Sequence, residues 1–181
     1  YGGILKYQWV CMPLSLIGIV YTTDGRQIDI SIGEDPADPV FYINDLLPHL
    51  GKDQAAKKLN EAITGEMLMP IVGTYSQEEK TKPAILTLLK NKYGIEEEDL
   101  ASAELEIIPA QKSREVGLDR SMIMSHGHDD RVCSYGNLAA ILYAKAGTKT
   151  QAALFADKEE IGSVGNTGVQ SSYFLDFTAE L

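Results

Sequence analysis

Two pairs of carboxylates carry the chemistry that can be read from this chain. Glu159 and Glu160 stand between the apolar run "QAALFA" and the glycine-rich stretch "IGSVGNTG", and Asp129 and Asp130 stand in "HGHDDR". Carboxylates that converge repel one another unless a cation lies between them. Two divalent ions sharing a bridging carboxylate would remove that repulsion and activate water as a nucleophile. A glutamate next to a metal ligand is then well placed to take the proton from that water. Gly162, Gly165 and Gly168 would let the backbone fold tightly beneath such a site. Spacing alone also fits a solvated acidic loop, which is the commoner origin of adjacent glutamates.

Such a site needs elements that end beside each other. "RSMIMSHGHDD" reads as a buried strand running into a polar loop. "DRVCSYGNLAAILYAKAG" reads as a helix with Val132, Tyr135, Ala139, Leu142 and Ala146 on one face. "KTQAALFAD" reads as a short apolar strand, and "TGVQSSYFLDFTAEL" begins another helix. This order predicts an α/β layer with parallel strands, in which ligands bind beyond the strands' carboxyl ends. Both acidic clusters fall there.

Before about Ser113 the pattern is β-rich. Asp24-Gly25 marks a hairpin between "PLSLIGIVYTT" and "RQIDISIG", where Ile28, Ile30 and Ile32 alternate with Gln27, Asp29 and Ser31. "DPVFYIND" reads as a third strand closed by Pro48. "KDQAAKKLNEAI" reads as a helix stopped by Gly65, and "MLMPIVGTYS" as β-like. "TKPAILTLLKNKYG" reads as a helix ended by Gly94, and "AELEIIPA" as a strand with Leu105 and Ile107 on one side. "EEED" at 96–99 reads as a solvated turn. We therefore expect a β-rich module over residues 1–112 and an α/β module over 113–181.

Composition narrows the partners. The 181 residues carry a formal charge of −10, which disfavours nucleic acid and anionic membranes. No apolar run reaches the roughly 18 residues of a membrane span. Cys11 and Cys133 are far apart in apolar sequence and read as buried free thiols of a reducing cytoplasm. The start at Tyr1 without methionine and the end within a helical pattern suggest a piece of a longer protein.

Four segments fall in one order: "YGGILKYQW", "IGEDPADPVFYINDLLPHL", "HDDRVCSYGNL" and "DKEEIGSVGNTG". Together they resemble the aspartyl aminopeptidase (aminopeptidase I) family of dinuclear zinc metallopeptidases. The resemblance implies part of an α/β aminopeptidase domain, interrupted by a β-rich insertion domain used in assembly. By it, Asp129 matches the carboxylate that bridges both metals, Glu159 the general base, and Glu160 a ligand to one metal. Asp130 and Arg131 would support them from behind. His49 lies where the insertion domain presents a histidine to a neighbouring subunit's active site. The alternative for His49 is a helix-start histidine bonded to nearby backbone. His126 and His128 match no family ligand.

The implied cofactors are two divalent metal ions, zinc in this family. The implied partners are peptides, with acidic N-terminal residues suggested by the family name, and further copies of the chain, up to a dodecamer of dimers. The family's other metal ligands fall upstream of Tyr1 and downstream of Leu181, so this stretch should hydrolyse nothing alone. Two other readings stay open: an assembly module carrying an incomplete catalytic half, and a related dinuclear deacylase or endopeptidase.

Overall fold

A computed structural model describes residues 4–74 and 80–180. They divide into two compact units, Leu5–Ile123 and residues 124–180 with Ile4.

In the larger unit, Leu14, Leu16 and Val20 alternate along β1 (Pro13–Tyr21), and this strand organises a sheet. It pairs antiparallel with β2 (Gln27–Ile32), β3 (Phe41–Tyr42) and β4 (Glu104–Pro109). The registers set Leu16 opposite both Ile32 and Ile107, so one face of all these strands is apolar. Val20, Ile30, Ile32 and Ile95 form its buried core, and Leu16, Ile28, Phe41, Leu89 and Tyr93 pack against them. The isoleucine alternation of β2 faces inward as its sequence predicts. The hairpin connection runs from Thr22 to Arg26, whose backbone bond Thr22 N–H to Arg26 O measures 2.9 Å. Within it Gly25 takes the positive φ of 85°, while Asp24 instead binds Arg26 at 2.9 Å.

Gly18 sits on β1 opposite Leu105 of β4. With φ at 143°, a Cβ there would lie 2.0 Å from the Glu104 carbonyl oxygen and 2.9 Å from Leu105 Cα. Both obstacles are backbone, so the strands would have to separate. Gly18→Ala should cost about 1–3 kcal/mol, the range for overpacking, and lower the melting temperature of the complete polypeptide. An unchanged melting curve would mean that β1 and β4 do not approach this closely.

The helix read from "TKPAILTLLKNKYG" is α3, following two short helices α1 (Lys52–Ala55) and α2 (Leu59–Ala62). It spans Thr81–Tyr93 and ends on Gly94 in the left-handed conformation at φ 69°. Leu89 and Tyr93 face the core, Tyr93 donates to the Ser31 carbonyl at 2.7 Å, and Lys92 binds Asp38 at 3.0 Å.

Several expectations need correction here. The single helix expected over "KDQAAKKLNEAI" is split, because Lys58 is extended and Ile63 is drawn into the interior. Gly65 opens a 3-10 turn rather than ending a helix. The third strand stops at Tyr42, well before Pro48. From "MLMPIVGTYS" only Ile71 makes a β-bridge, to Tyr42, and Tyr75 and Ser76 lie outside the described residues. The "EEED" turn is not wholly solvated. Asp99 is buried and accepts the N–H groups of Thr23 and Glu96, each at 2.8 Å. The Glu96 and then the Thr23 amide hold its carboxyl below the usual range. A short carboxylate can reach two leftover amides, and so ties this turn to the hairpin.

A second pair of strands, β5 (Arg114–Val116) and β6 (Met122–Met124), completes the strand set among the described residues. The buried strand expected over "RSMIMS" is corrected: Met122, Ile123 and Met124 are all exposed.

The smaller unit contains α4 (His128–Tyr143) and α5 (Tyr173–Glu180). The face assigned to α4 is also corrected. Val132, Tyr135 and Leu142 are exposed, and Ala146 lies beyond the helix end. "QAALFA" is not a strand: residues 151–156 form no ladder with any described strand. A strand exists only where a neighbour supplies the opposite N–H and C=O groups, and no described segment does so. No parallel pairing occurs among the described residues. No described helix is long and apolar enough to cross a membrane.

Candidate active site

The two acidic segments meet in the smaller unit. From Asp130 onward α4 is regular, while Asp129 keeps non-helical φ and ψ of −89° and 116°, preceded by Gly127 at φ 74°. Asp130, Cys133, Ser134 and Asn137 recur at helical spacing and so share one face of α4. That face lines a cleft of about 290 Å³, closed on the other side by Leu154, Phe155, Ala156 and Glu159. Asn137 Nδ2 donates to the Leu154 carbonyl at 2.9 Å and so ties the helix to the segment that leads into the glutamates.

Glu159 and Glu160 occupy a 3-10 turn, Glu159–Ile161, flanked by left-handed Lys158 at φ 60° and Gly162 at φ 80°. Gly162 N–H bonds the Glu159 carbonyl and Ser163 N–H the Lys158 carbonyl, both at 2.8 Å. The glycines anticipated in this stretch do different work. Gly168 is buried, and a Cβ on it would lie 1.9 Å from the Ser163 carbonyl oxygen. Gly162 and Gly165 supply positive φ instead.

Of the four carboxylates, Asp130 and Glu159 line the cleft together. Asp129 and Glu160 lie beside them in sequence without lining it. Desolvation first, then the hydrogen bond and like charge of Asp129, push the Asp130 carboxyl above its ordinary value. Arg131 Nη1 donates to the His126 carbonyl at 3.0 Å, so it braces the loop before α4. His49 is exposed in a turn of the larger unit.

The expectation of buried thiols is corrected: Cys11 and Cys133 are free and exposed. Cys133 belongs to the cleft face of α4 and Cys11 to a turn before β1, so neither points into a core. Asn137 and Cys133 were missed as cleft residues. The recurrence of polar and small residues at 130, 133, 134 and 137 was the signal that could have found them.

Carboxylate oxygens suit zinc, but a zinc centre takes three or four protein ligands. Among the described residues no three His, Cys, Asp or Glu side chains gather in that way. The carboxylates at 129, 130, 159 and 160 are donors of the type zinc takes, but among the described residues they do not by themselves make up a metal centre. A second cavity, of about 360 Å³ in the larger unit, is lined by Leu16, Ile32, Phe41, Ile85 and Leu89, with Lys92 already paired to Asp38. It offers no comparable chemistry.

The sequence model of the aminopeptidase I zinc metalloproteases (M18) matches residues 1–180. A probable M18 family aminopeptidase 1 of Clostridium acetobutylicum is 45% identical over 186 residues, covering 100% of this chain and 40% of its own length. The protein of that description from Thermotoga maritima is 48% identical, covering 97% of this chain and 39% of its own. The crystal structure of an M18 aminopeptidase from Thermotoga maritima superposes with a TM-score of 0.88 at 47% identity, over 98% of this chain and 40% of that one. The chain thus spans about 40% of the length of the relatives it matches, and its mixed helix-and-sheet architecture is theirs. It belongs to the M18 family of aminopeptidase I zinc metalloproteases.

Proposed function

We propose that the complete polypeptide is a two-metal aminopeptidase that removes N-terminal residues from peptides. The observation that carries this reading is that Asp130 and Glu159, distant in sequence, line one cleft in a chain of the M18 family. Asp129 and Glu160 would hold the metal ions, Asp129 between the two, with further ligands from the rest of the polypeptide. Two bound zinc ions supply Lewis acidity toward the scissile carbonyl. Glu159 accepts a proton from the attacking water on its carboxylate and delivers it to the leaving amine. Asp130, hydrogen-bonded to Asp129, would help orient it, and Arg131 would hold the loop before them through the His126 carbonyl.

Residues 1–112 act as an insertion module for self-assembly, and 113–181 as part of the catalytic α/β domain. Exposed Leu46, Leu47 and Leu50 around His49 support a role for this turn at a subunit interface, with His49 offered to the neighbouring active site. The two free thiols support a reducing, cytoplasmic setting.

The test is a panel of aminoacyl substrates on the complete polypeptide, before and after chelation, with zinc content measured in parallel. Release of single N-terminal residues that stops on chelation and returns with zinc is the expected result. Cleavage inside blocked peptides, or release of an acyl group alone, would instead favour an endopeptidase or deacylase.

A further inference from the structure

We propose that Asp157 and Thr167 are positioning residues for the Glu159–Glu160 turn, a clamp that closes the loop carrying both carboxylates. The inference rests on the reading above for its effect on catalysis, and on geometry alone for the clamp itself.

A 3-10 turn of three residues cannot hold its own orientation, because its hydrogen bonds are few and poorly aligned. Something at the ends of the loop must do so. Asp157 N–H donates to the Thr167 carbonyl at 3.1 Å, and the Thr167 hydroxyl donates to Asp157 Oδ2 at 2.9 Å. These two residues are thus joined twice, backbone to backbone and side chain to side chain. The other carboxylate oxygen, Oδ1, accepts the Lys158 N–H at 2.8 Å. With both oxygens engaged by its own loop, Asp157 acts as a holder of the turn rather than as a further ligand.

Residues just beyond Thr167 fold back onto the loop that the clamp encloses. Gln170 N–H reaches the Ser163 carbonyl at 3.2 Å, and its side-chain amide reaches the Gly162 carbonyl. Gly168 lets the returning strand of the loop pass directly over Ser163. Lys158 and Ser163 both hold positive φ, 60° and 56°, which bulky residues avoid unless their surroundings impose it. The clamp constrains Lys158 through the bond its N–H gives to Asp157 Oδ1, alongside the bond its carbonyl accepts from Ser163. Releasing it frees the turn to relax, and Glu159 with it, away from the cleft wall that it shares with Asp130.

Four variants of the complete, zinc-loaded polypeptide test this. Asp157→Ala and Thr167→Val remove a partner, whereas Asp157→Asn and Thr167→Ser keep hydrogen-bonding groups in place. The first two should lower kcat by about 10–100-fold, the scale for residues that orient a metal site from outside it, with KM nearly unchanged. They should also speed amide exchange in residues 158–168 and leave exchange elsewhere as it was. The conservative pair should stay close to the parent in both measurements. Thr167→Val preserves shape at an exposed position, so it reads the clamp even if Asp157→Ala folds poorly. Unchanged exchange in Thr167→Val, or equal losses in all four variants, would overturn the clamp. Failure of the aminopeptidase reading would look different: the parent itself would show no zinc-dependent release, while the exchange pattern would still report on the clamp.

Discussion

Glu159→Gln in the complete polypeptide should lower turnover by roughly 10²-fold or more, the scale for losing a general base, while zinc content and KM stay near the parent values. Glutamine keeps the shape of glutamate and its hydrogen-bonding reach but cannot accept a proton at neutral pH. Glu159 is the glutamate of the pair that lines the cleft with Asp130, where an attacking water could reach it. Neighbouring residues in a 3-10 turn project about a third of a turn apart, so Glu160 can serve a metal while Glu159 faces that water. Glu160→Gln should accordingly lose zinc first, and added zinc should restore part of its activity. Zinc lost from Glu159→Gln but retained in Glu160→Gln would exchange the two roles.

Asp129→Asn should have the next largest effect, and of a different kind. Removing the charge of a carboxylate shared by two cations weakens the binding of both. Zinc content and turnover should therefore fall together, and excess zinc should recover only part of the rate. The backbone at Asp129, with ψ at 116°, is already set apart from the regular part of α4 that starts at Asp130, so the substitution removes a charge without disturbing those turns. Two zinc ions per chain and normal turnover in this variant would remove Asp129 from the metal centre.

Alternating isoleucines in β2 and the Gly94 stop of α3 were legible because their causes are local: strand period and a left-handed cap. The burial of Asp99 was not legible, because its partner Thr23 lies far away in sequence. The strand expected at 151–156 illustrates the same limit, since its apolar composition is compatible with a ladder but cannot supply the neighbouring strand.

The candidate site divides along that line. Residue types and order were enough to mark the two acidic pairs and to suggest carboxylate chemistry, and the family resemblance assigned roles to Asp129, Glu159 and Glu160, because both depend on a pattern carried by the chain itself. Only the tertiary structure decided that Asp130, rather than Asp129, shares a cleft wall with Glu159, and that Asn137 ties that wall together. It also decided that Asp157 meets Thr167 at both backbone and side chain. The physical reason is that direction is not a property of a residue type. Where a carboxylate points follows from the φ and ψ of a few loop residues and from hydrogen bonds closed across many intervening positions, and these exist only once the chain has folded.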